Sequence, residues 1–258
     1  MRYQAYAKVN IFLKIIGTRG TYHELLSRFM RVESLFDTLW FAPKKTTKSF
    51  ELVGNFNCNI HDNTLFKAYH ALCKAGFEQE VKKVMGAYAL HVQKAIPTGA
   101  GLGGGSSDSA TFLMMLNEKA NLHLSSQELM DIGSRVGADV AFFASQTKSA
   151  NVSGIGEIVE IFDEEILPIE VATPPMACDT AQVYQAYRKH FLKTIDAPLA
   201  QQMLKMSSET LLISFSREML NDLYAPALKC YPLLQSYAKE GWFFSGSGSS
   251  FFRIKETV

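Results

Sequence analysis

The sequence predicts an α+β fold built as two tightly packed lobes. Three observations carry this expectation. Apolar residues recur with period two in the first 160 residues, as in strands; a glycine-rich loop at 97–107 runs straight into an apolar helical stretch; and beyond Pro174-Pro175 the pattern becomes largely helical. Strands and helices do not alternate strictly, which disfavours a βαβ architecture. The shift near 160–175 is the one credible boundary and divides the chain into 1–160 and 161–258.

Residues 5–16 put Ala5, Ala7, Val9, Ile11, Leu13 and Ile15 on one side of a strand. Tyr6, Lys8, Asn10, Phe12 and Lys14 fall on the other, so Lys8 and Asn10 share a face and can point into one site. Gly17–Gly20 breaks this strand and brings up Tyr22 and His23. Further strands are expected at 29–41, 49–54 and 87–95. Between the last two lies a helix capped by Asn63, with Leu65, Phe66, Tyr69, Leu72 and Cys73 as its apolar stripe. A helix at about 106–120 follows the glycine loop. Ser125 and Glu128 have the spacing of a capping box and open a helix ending near Gly137, which leaves Asp139 on the turn beyond. Strands at 157–162 and 168–173 precede helices at 179–192, 198–213 and 217–239. Trp242–Phe244 then reads as a short strand meeting a second glycine–serine turn, Ser245–Ser250.

A chain of 258 residues with 47% hydrophobic and 20% charged residues can bury a sizeable core and has an ordinary globular composition. The net charge of +1 argues against a nucleic-acid footprint and against attraction to an anionic membrane. Cys58, Cys73, Cys178 and Cys230 are far apart with no C-x-x-C pair, which disfavours zinc or a disulfide framework and suits a reducing compartment. The first residues lack a signal-peptide core, and no apolar run approaches the ~20 residues that span a bilayer. The expected location is the cytoplasm.

The chemistry is densest in Pro97-Thr-Gly-Ala-Gly-Leu-Gly-Gly-Gly-Ser-Ser-Asp-Ser-Ala110, with five glycines between 99 and 105. Such a loop lets a ligand approach the main chain, and the helix behind it offers unpaired N–H groups and a dipole to an anion. Gly99, Gly101 and Gly104 formally satisfy G-x-G-x-x-G, but consecutive helices follow instead of the strand and acidic residue of a dinucleotide site. Gly105 stands where a P-loop requires lysine. Phosphate charge therefore falls to backbone N–H groups, Ser106, Ser107, the helix dipole and Mg²⁺. Phosphoryl transfer also needs a base or orienting group for the attacking hydroxyl; Asp139 in Gly-Ala-Asp-Val is the candidate, with Lys8 to hold it and stabilise developing charge.

These residues resemble the galactokinase–homoserine kinase–mevalonate kinase–phosphomevalonate kinase superfamily. The glycine loop is similar to its central P-x-x-x-G-L-G-S-S-A-A motif, and Ala7–Leu13 and Phe244–Phe251 are similar to its flanking motifs in the same order. The resemblance implies a two-lobed small-molecule kinase fold, with a ribosomal S5 domain 2-like N-terminal lobe, an α/β C-terminal lobe and the active site in the cleft between them. The ATP-binding lobe is then 1–160, and the substrate-side lobe 161–258 is short beside its relatives. Ala7–Leu13, Tyr22-His23, Gly101–Asp108, Gly137–Val140 and Ser153–Glu157 are together similar to the members that use ATP and Mg²⁺ to phosphorylate the 2-hydroxyl of a diphosphocytidyl methylerythritol in isoprenoid precursor synthesis.

By position, the resemblance implies Asp139 and Lys8 as the catalytic pair. It implies Pro97, Thr98, Gly99, Ala100, Gly101, Leu102, Gly103, Gly104, Gly105, Ser106 and Ser107 as the ATP phosphate loop, with Asn63 and Lys94 near adenine. Asn10 and Thr180 are implied as substrate contacts, and Tyr22, His23 and Tyr184 as the residues around the cytosine ring. Metal ligands are not implied, and a monomer or weak homodimer is expected. Two other classes remain open at this point. One is a superfamily kinase acting on mevalonate or homoserine, which would have no use for Tyr22, His23 and Tyr184. The other is a nucleotide sensor that kept the fold without turnover, against which Lys8 and Asp139 argue.

Overall fold

The computed structural model describes residues 1–192 and 195–255. The first alternating segment is β1 (Tyr3–Arg19), turned by Gly20 in a left-handed conformation (φ 61°) into β2 (Tyr22–Pro43), which starts well before the expected residue 29. The two strands pair. From Ala7 to Ile15 β1 is buried on both faces, so its polar side is not solvated: Lys8, Asn10 and Lys14 all lie inside. The short β3 (Leu52–Val53) precedes α1 (Thr64–Leu72), where the Asn63 side chain accepts from Leu65 N as expected of a cap. The single helix expected here is in fact two. Gly76 at φ 103° kinks the chain into α2 (Glu78–Ala87), whose Val81, Val84 and Met85 form their own buried stripe.

β4 (Tyr88–Gln93) leads through the glycine loop to α3 (Gly104–Lys119). Ser107–Leu113, Met115 and Leu116 are buried around nearly the whole helix, as befits an element packed on several sides. The capping box of α4 (Ser126–Ser134) forms as expected: Glu128 N donates to Ser125 Oγ and Ser125 N to Glu128 Oε2 (3.3 and 2.8 Å). Then come α5 (Val140–Ala144), β5 (Ser149–Gly154), β6 (Ile158–Ile161), β7 (Ile169–Ala172) and α6 (Thr180–His190). The helix expected at 198–213 breaks at 204–207 into α7 (Ala197–Met203) and α8 (Ser208–Ser214), the latter capped by Ser207. The one expected at 217–239 breaks into α9 (Arg217–Leu220), α10 (Tyr224–Cys230) and a 3₁₀ turn at Pro232–Tyr237. Asn221 leaves the helix because its extended backbone bridges Leu13 of β1. β8 (Phe243–Phe244) and β9 (Phe251–Ile254) close the described chain.

The chain forms two compact units, each assembled from three stretches. One comprises Met1–Ala7, Leu35–Ile96 and Gly104–Thr147. In it the second half of β2 pairs antiparallel with β4, from Thr38↔Gln93 to Pro43↔Tyr88; β3 adds parallel to β4, and α3 packs against α1, α4 and α5. The other comprises Lys8–Ser34, Pro97–Gly103 and Lys148–Val258. Its β2 residues 25–30 pair with β5, which pairs with β6, and a second sheet runs β7-β9-β8. Leu13, Ile15, Val183, Tyr187, Leu223, Tyr224, Phe244 and Phe251 gather in the core of this unit. All four cysteines are free thiols.

Candidate active site

The glycine loop is shaped by three left-handed residues in alternation, Gly99, Gly101 and Gly103 (φ 67°, 75° and 71°). Space is equally demanding: a Cβ on Gly101 would lie 2.3 Å from the Ser245 carbonyl oxygen, and one on Gly99 2.9 Å from Ala177 Cβ. The loop carbonyls are held from three directions. Lys8 N of β1 donates to Leu102 O (3.0 Å), Cys178 N to Gly99 O (3.2 Å) and Ser250 N to Ala100 O (3.1 Å), while Ser245 Oγ donates to Gly101 O (3.1 Å). Pro97 and Thr98 are exposed and Leu102 is buried.

Beside this loop, and in the same unit, Lys8 and Asn10 meet as the strand period requires. Lys8 Nζ donates to Asn10 Oδ1 (2.6 Å) and stands 4.3 Å from the Phe29 ring centroid. Asn10 Nδ2 donates to Ser27 Oγ (2.9 Å), and Asn10 N to Ser245 Oγ (3.3 Å). Lys8 is only 4% exposed, which sets it apart from an ordinary strand-surface lysine.

The other half of the phosphate loop opens α3 in the other unit. Thr64 Oγ1, at the start of α1, donates to Gly105 O (3.0 Å), so the Asn63 cap adjoins the loop; Asn63 Oδ1 itself accepts from Leu65 N (2.9 Å). A Cβ on Gly137 would lie 3.8 Å from Ser106 Oγ, which places the turn carrying Asp139 next to the first turn of α3. Asp139 is half-buried, and its side chain does not cap α5.

Lys94, just past β4, is anchored by two carboxylates. It donates to Asp37 Oδ2 on β2 and to Asp108 Oδ2 on α3 (2.6 Å to the latter). Asp37 Oδ1 also accepts from Ala95 N and Ile96 N (2.5 and 2.8 Å), fixing the chain where it enters the loop. Asp108 Oδ1 is buried with no hydrogen-bond partner. Burial pushes the Asp108 carboxyl up to about 7, with Asp37 adding to the rise and Lys94 opposing it. Lys94 itself is raised: its own burial lowers it, but the two aspartates outweigh that. One ammonium cannot neutralise two carboxylates. Asp37 accepts from three donors, whereas Asp108 has Lys94 and one oxygen with no partner.

At the aromatic end, His23 and Tyr184 lie with ring centroids 5.1 Å apart and 33° between planes, and Tyr187 meets His23 edge-on at 5.8 Å. His23 Nε2 is buried without a hydrogen-bond partner. Burial first, then the charge of Arg188, holds the imidazole below its usual pKa, so it is neutral at pH 7 and offers both a donor and an acceptor. Thr180, the first residue of α6, shares a hydrogen bond with Ser247 (2.8 Å). Tyr22 does not join this group and stands 60% exposed.

Sequence reasoning missed Asp37, Asp108, Ser245 and Asn221. Asp108 and Ser245 lie inside segments already singled out by pattern. Asp37 and Asn221 sit in short polar pairs, Asp37-Thr38 and Asn221-Asp222, flanked by apolar residues, a pattern with no distinctive spacing. Among the described residues no cluster of three or more His, Cys, Asp or Glu could hold a metal.

The fold and this loop define a class, the small-molecule kinases: a family model described as "GHMP kinases N terminal domain" matches residues 63–147. A 4-diphosphocytidyl-2-C-methyl-D-erythritol kinase of Sulfurimonas denitrificans is 54% identical over 257 residues, covering 98% of this chain and 97% of that protein. The one of Helicobacter pylori (strain J99) is 42% identical over 267 residues, covering 99% and 94%. A crystal structure of 4-(cytidine 5'-diphospho)-2C-methyl-D-erythritol kinase superposes with a TM-score of 0.73 at 28% identity, covering 99% of this chain and 90% of that one. The mevalonate kinase of Methanococcus jannaschii shares the fold at a TM-score of 0.62 and 14% identity, covering 99% and 90%. The chain belongs to the 4-diphosphocytidyl-2-C-methyl-D-erythritol kinase family. It therefore has the α+β kinase fold expected from the sequence and works on a small molecule with ATP.

Proposed function

We propose that this protein transfers the γ-phosphoryl group of ATP to the 2-hydroxyl of 4-diphosphocytidyl-2-C-methyl-D-erythritol, in the non-mevalonate synthesis of isoprenoid precursors. The observation that carries this reading is the 54% identity over 257 residues to the Sulfurimonas kinase. The neutral His23, tilted 33° against Tyr184, supports the cytidine part of it: an aromatic pair with one donor and one acceptor suits a cytosine. Mevalonate and homoserine present no ring to such a pair.

In this reading the ATP phosphates lie on the Pro97–Ser107 loop. Asp139 takes the hydroxyl proton or orients the hydroxyl, and Lys8, steadied by Asn10, stabilises charge as it develops. Mg²⁺ bound with ATP would neutralise phosphate charge beside the loop. We assign a cytoplasmic location and a monomer or weak homodimer, with no nucleic-acid or membrane partner. The +1 net charge supports this, and no described helix is long and apolar enough to cross a membrane.

The test is Asp139→Asn, assayed for ADP release with the diphosphocytidyl substrate. The expected loss in kcat is ~10²–10⁴-fold if Asp139 is the base, with ATP binding retained. Near wild-type turnover would remove Asp139 from the mechanism. A wild-type enzyme that ignores this substrate but phosphorylates mevalonate or homoserine would overturn the assignment itself.

A further inference from the structure

The Ser245–Ser250 turn touches both sides of the proposed reaction. Ser245 Oγ donates to Gly101 O and accepts from Asn10 N; Ser250 N donates to Ala100 O; Ser247 shares a hydrogen bond with Thr180. A phosphate-loop segment and two substrate-side residues are thus registered by one turn of six residues. Its own ladder is thin: Ser245 N donates to Ser250 O (3.0 Å) and Gly248 N to Ser245 O (3.0 Å). Something else must set where its first residues sit.

That anchor is Asn221, 2% exposed in the break between α9 and α10. Both hydrogens of its amide have buried carbonyl partners on either side of Ser245: Nδ2 donates to Phe244 O (2.9 Å) and to Gly246 O (3.0 Å). Its Oδ1 accepts from Leu223 N (2.9 Å), so the amide orientation is fixed and cannot be reversed without setting oxygens against oxygens. The break is in turn held to β1. Asp222 N donates to Leu13 O (2.9 Å), Asp222 Oδ2 accepts from Ile15 N (2.7 Å), and Lys14 pairs with Asp222. Asn10 lies on that same strand, so Asn221 measures the turn against the strand that carries Lys8 and Asn10.

We infer that Asn221 is a positioning residue for both ligands: by gripping Phe244 O and Gly246 O it places Ser245, and through Ser245 it sets the phosphate loop at Gly101 against Asn10. This rests on the kinase reading above, but it is tested by binding as well as by turnover. A purely structural role would lower the folded fraction and leave the affinities of the folded enzyme unchanged. A positioning role weakens both ligands together.

The perturbation is Asn221→Asp, which keeps the shape and the acceptor for Leu223 N but turns the two donations into repulsions. Calorimetric titration of the full chain with ATP and, separately, with CMP is expected to show each Kd weakened ~10-fold or more, and kcat/KM to fall ~10²-fold, the usual scale for a small misplacement. Ser245→Ala leaves Asn221 and both carbonyls in place and removes only the onward link, so it serves even if Asn221→Asp fails to fold. It should weaken ATP and CMP alike, and Asn221→Asp/Ser245→Ala should be no worse than Asn221→Asp alone, because the two act in one chain. Unchanged Kd for both ligands in Ser245→Ala, or strictly additive losses in the double variant, overturns the inference. Wild-type binding of ATP and CMP without transfer to the diphosphocytidyl substrate would sink the kinase reading while leaving this one measurable.

Discussion

Asp108 offers the sharpest test of how the electrostatics around the loop are balanced. It is 2% exposed, and its Oδ1 has no hydrogen-bond partner. Its carboxyl is pushed from 3.8 to about 7, with burial the largest cause. The sign follows directly. Below pH 4 both the folded and the unfolded chain carry the proton. Between pH 4 and 7 the folded chain holds it and the unfolded chain has released it, so stability falls as pH rises, by ~1.4 kcal/mol per pH unit. Above pH 7 both are ionised and this contribution is flat. Across the whole window the cost is about 4 kcal/mol, and between pH 5 and 7 about 2–3 kcal/mol. Asp108→Asn removes the titration while leaving an oxygen to accept from Lys94. Urea unfolding of both proteins at pH 5, 6, 7 and 8 should show the wild type losing about 2–3 kcal/mol relative to the variant between pH 5 and 7, and nothing further at pH 8. Other titrating groups, His23 among them, are common to both chains and cancel in the difference. Parallel stability curves would refute the reasoning, since they would mean that Lys94 neutralises Asp108 after all.

Three further outcomes follow from the geometry. Gly101→Ala meets the Ser245 carbonyl oxygen at 2.3 Å in a left-handed conformation, so it should displace the turn and raise KM for ATP at least ~10-fold. Gly20→Ala, equally left-handed but with open space around it, should cost only ~1–2 kcal/mol and leave KM unchanged. Arg28, wholly buried, donates to Asn151, Glu164 and the carbonyls of Leu204 and Met206. Arg28→Met should lose ~3–5 kcal/mol in chemical unfolding, because Glu164 and two carbonyls are left facing an apolar chain. A loss under ~1 kcal/mol would show that water or relaxation replaces the guanidinium.

How far the molecule could be read from its residues depends on whether a signal is local. The alternation of β1, the Asn63 cap, the Ser125–Glu128 box and the glycine loop with its helix are local, and each stands where expected. The breaks are not local. Helical periodicity continues through 217–239, yet Asn221 leaves the helix for a bridge to Leu13, a residue 208 positions away in sequence. The strand Ser149–Gly154 went unseen because Ser-Ala-Asn-Val-Ser-Gly carries only one β-branched apolar residue; its partner on β2 supplies the reason to be extended. The site divides in the same way. Lys8 beside Asn10 follows from a period of two. The partners of Lys94 do not, because Asp37 sits in an apolar strand where a single carboxylate reads as an outward-facing residue.

The lysine absent from the glycine loop gives that last point its weight. Gly105 occupies the place where a P-loop lysine would stand, yet folding brings a lysine to the loop by another route: Lys94 Nζ lies 3.6 Å from where a Cβ of Gly104 would be. This ammonium is a poor substitute as a phosphate clamp. It already faces two buried carboxylates, and with Asp108 ionised the three groups sum to −1, a local field that repels phosphate. Under the proposed function it would instead meet an uncharged part of the nucleotide, the adenine side that the family resemblance implies for it. Lys8, by contrast, donates to the neutral Asn10 (2.6 Å). Under the proposed mechanism, charge that develops during transfer would be met from β1 by Lys8, so the register of β1 against the Ser245 turn would bear on the chemistry as well as on the fold.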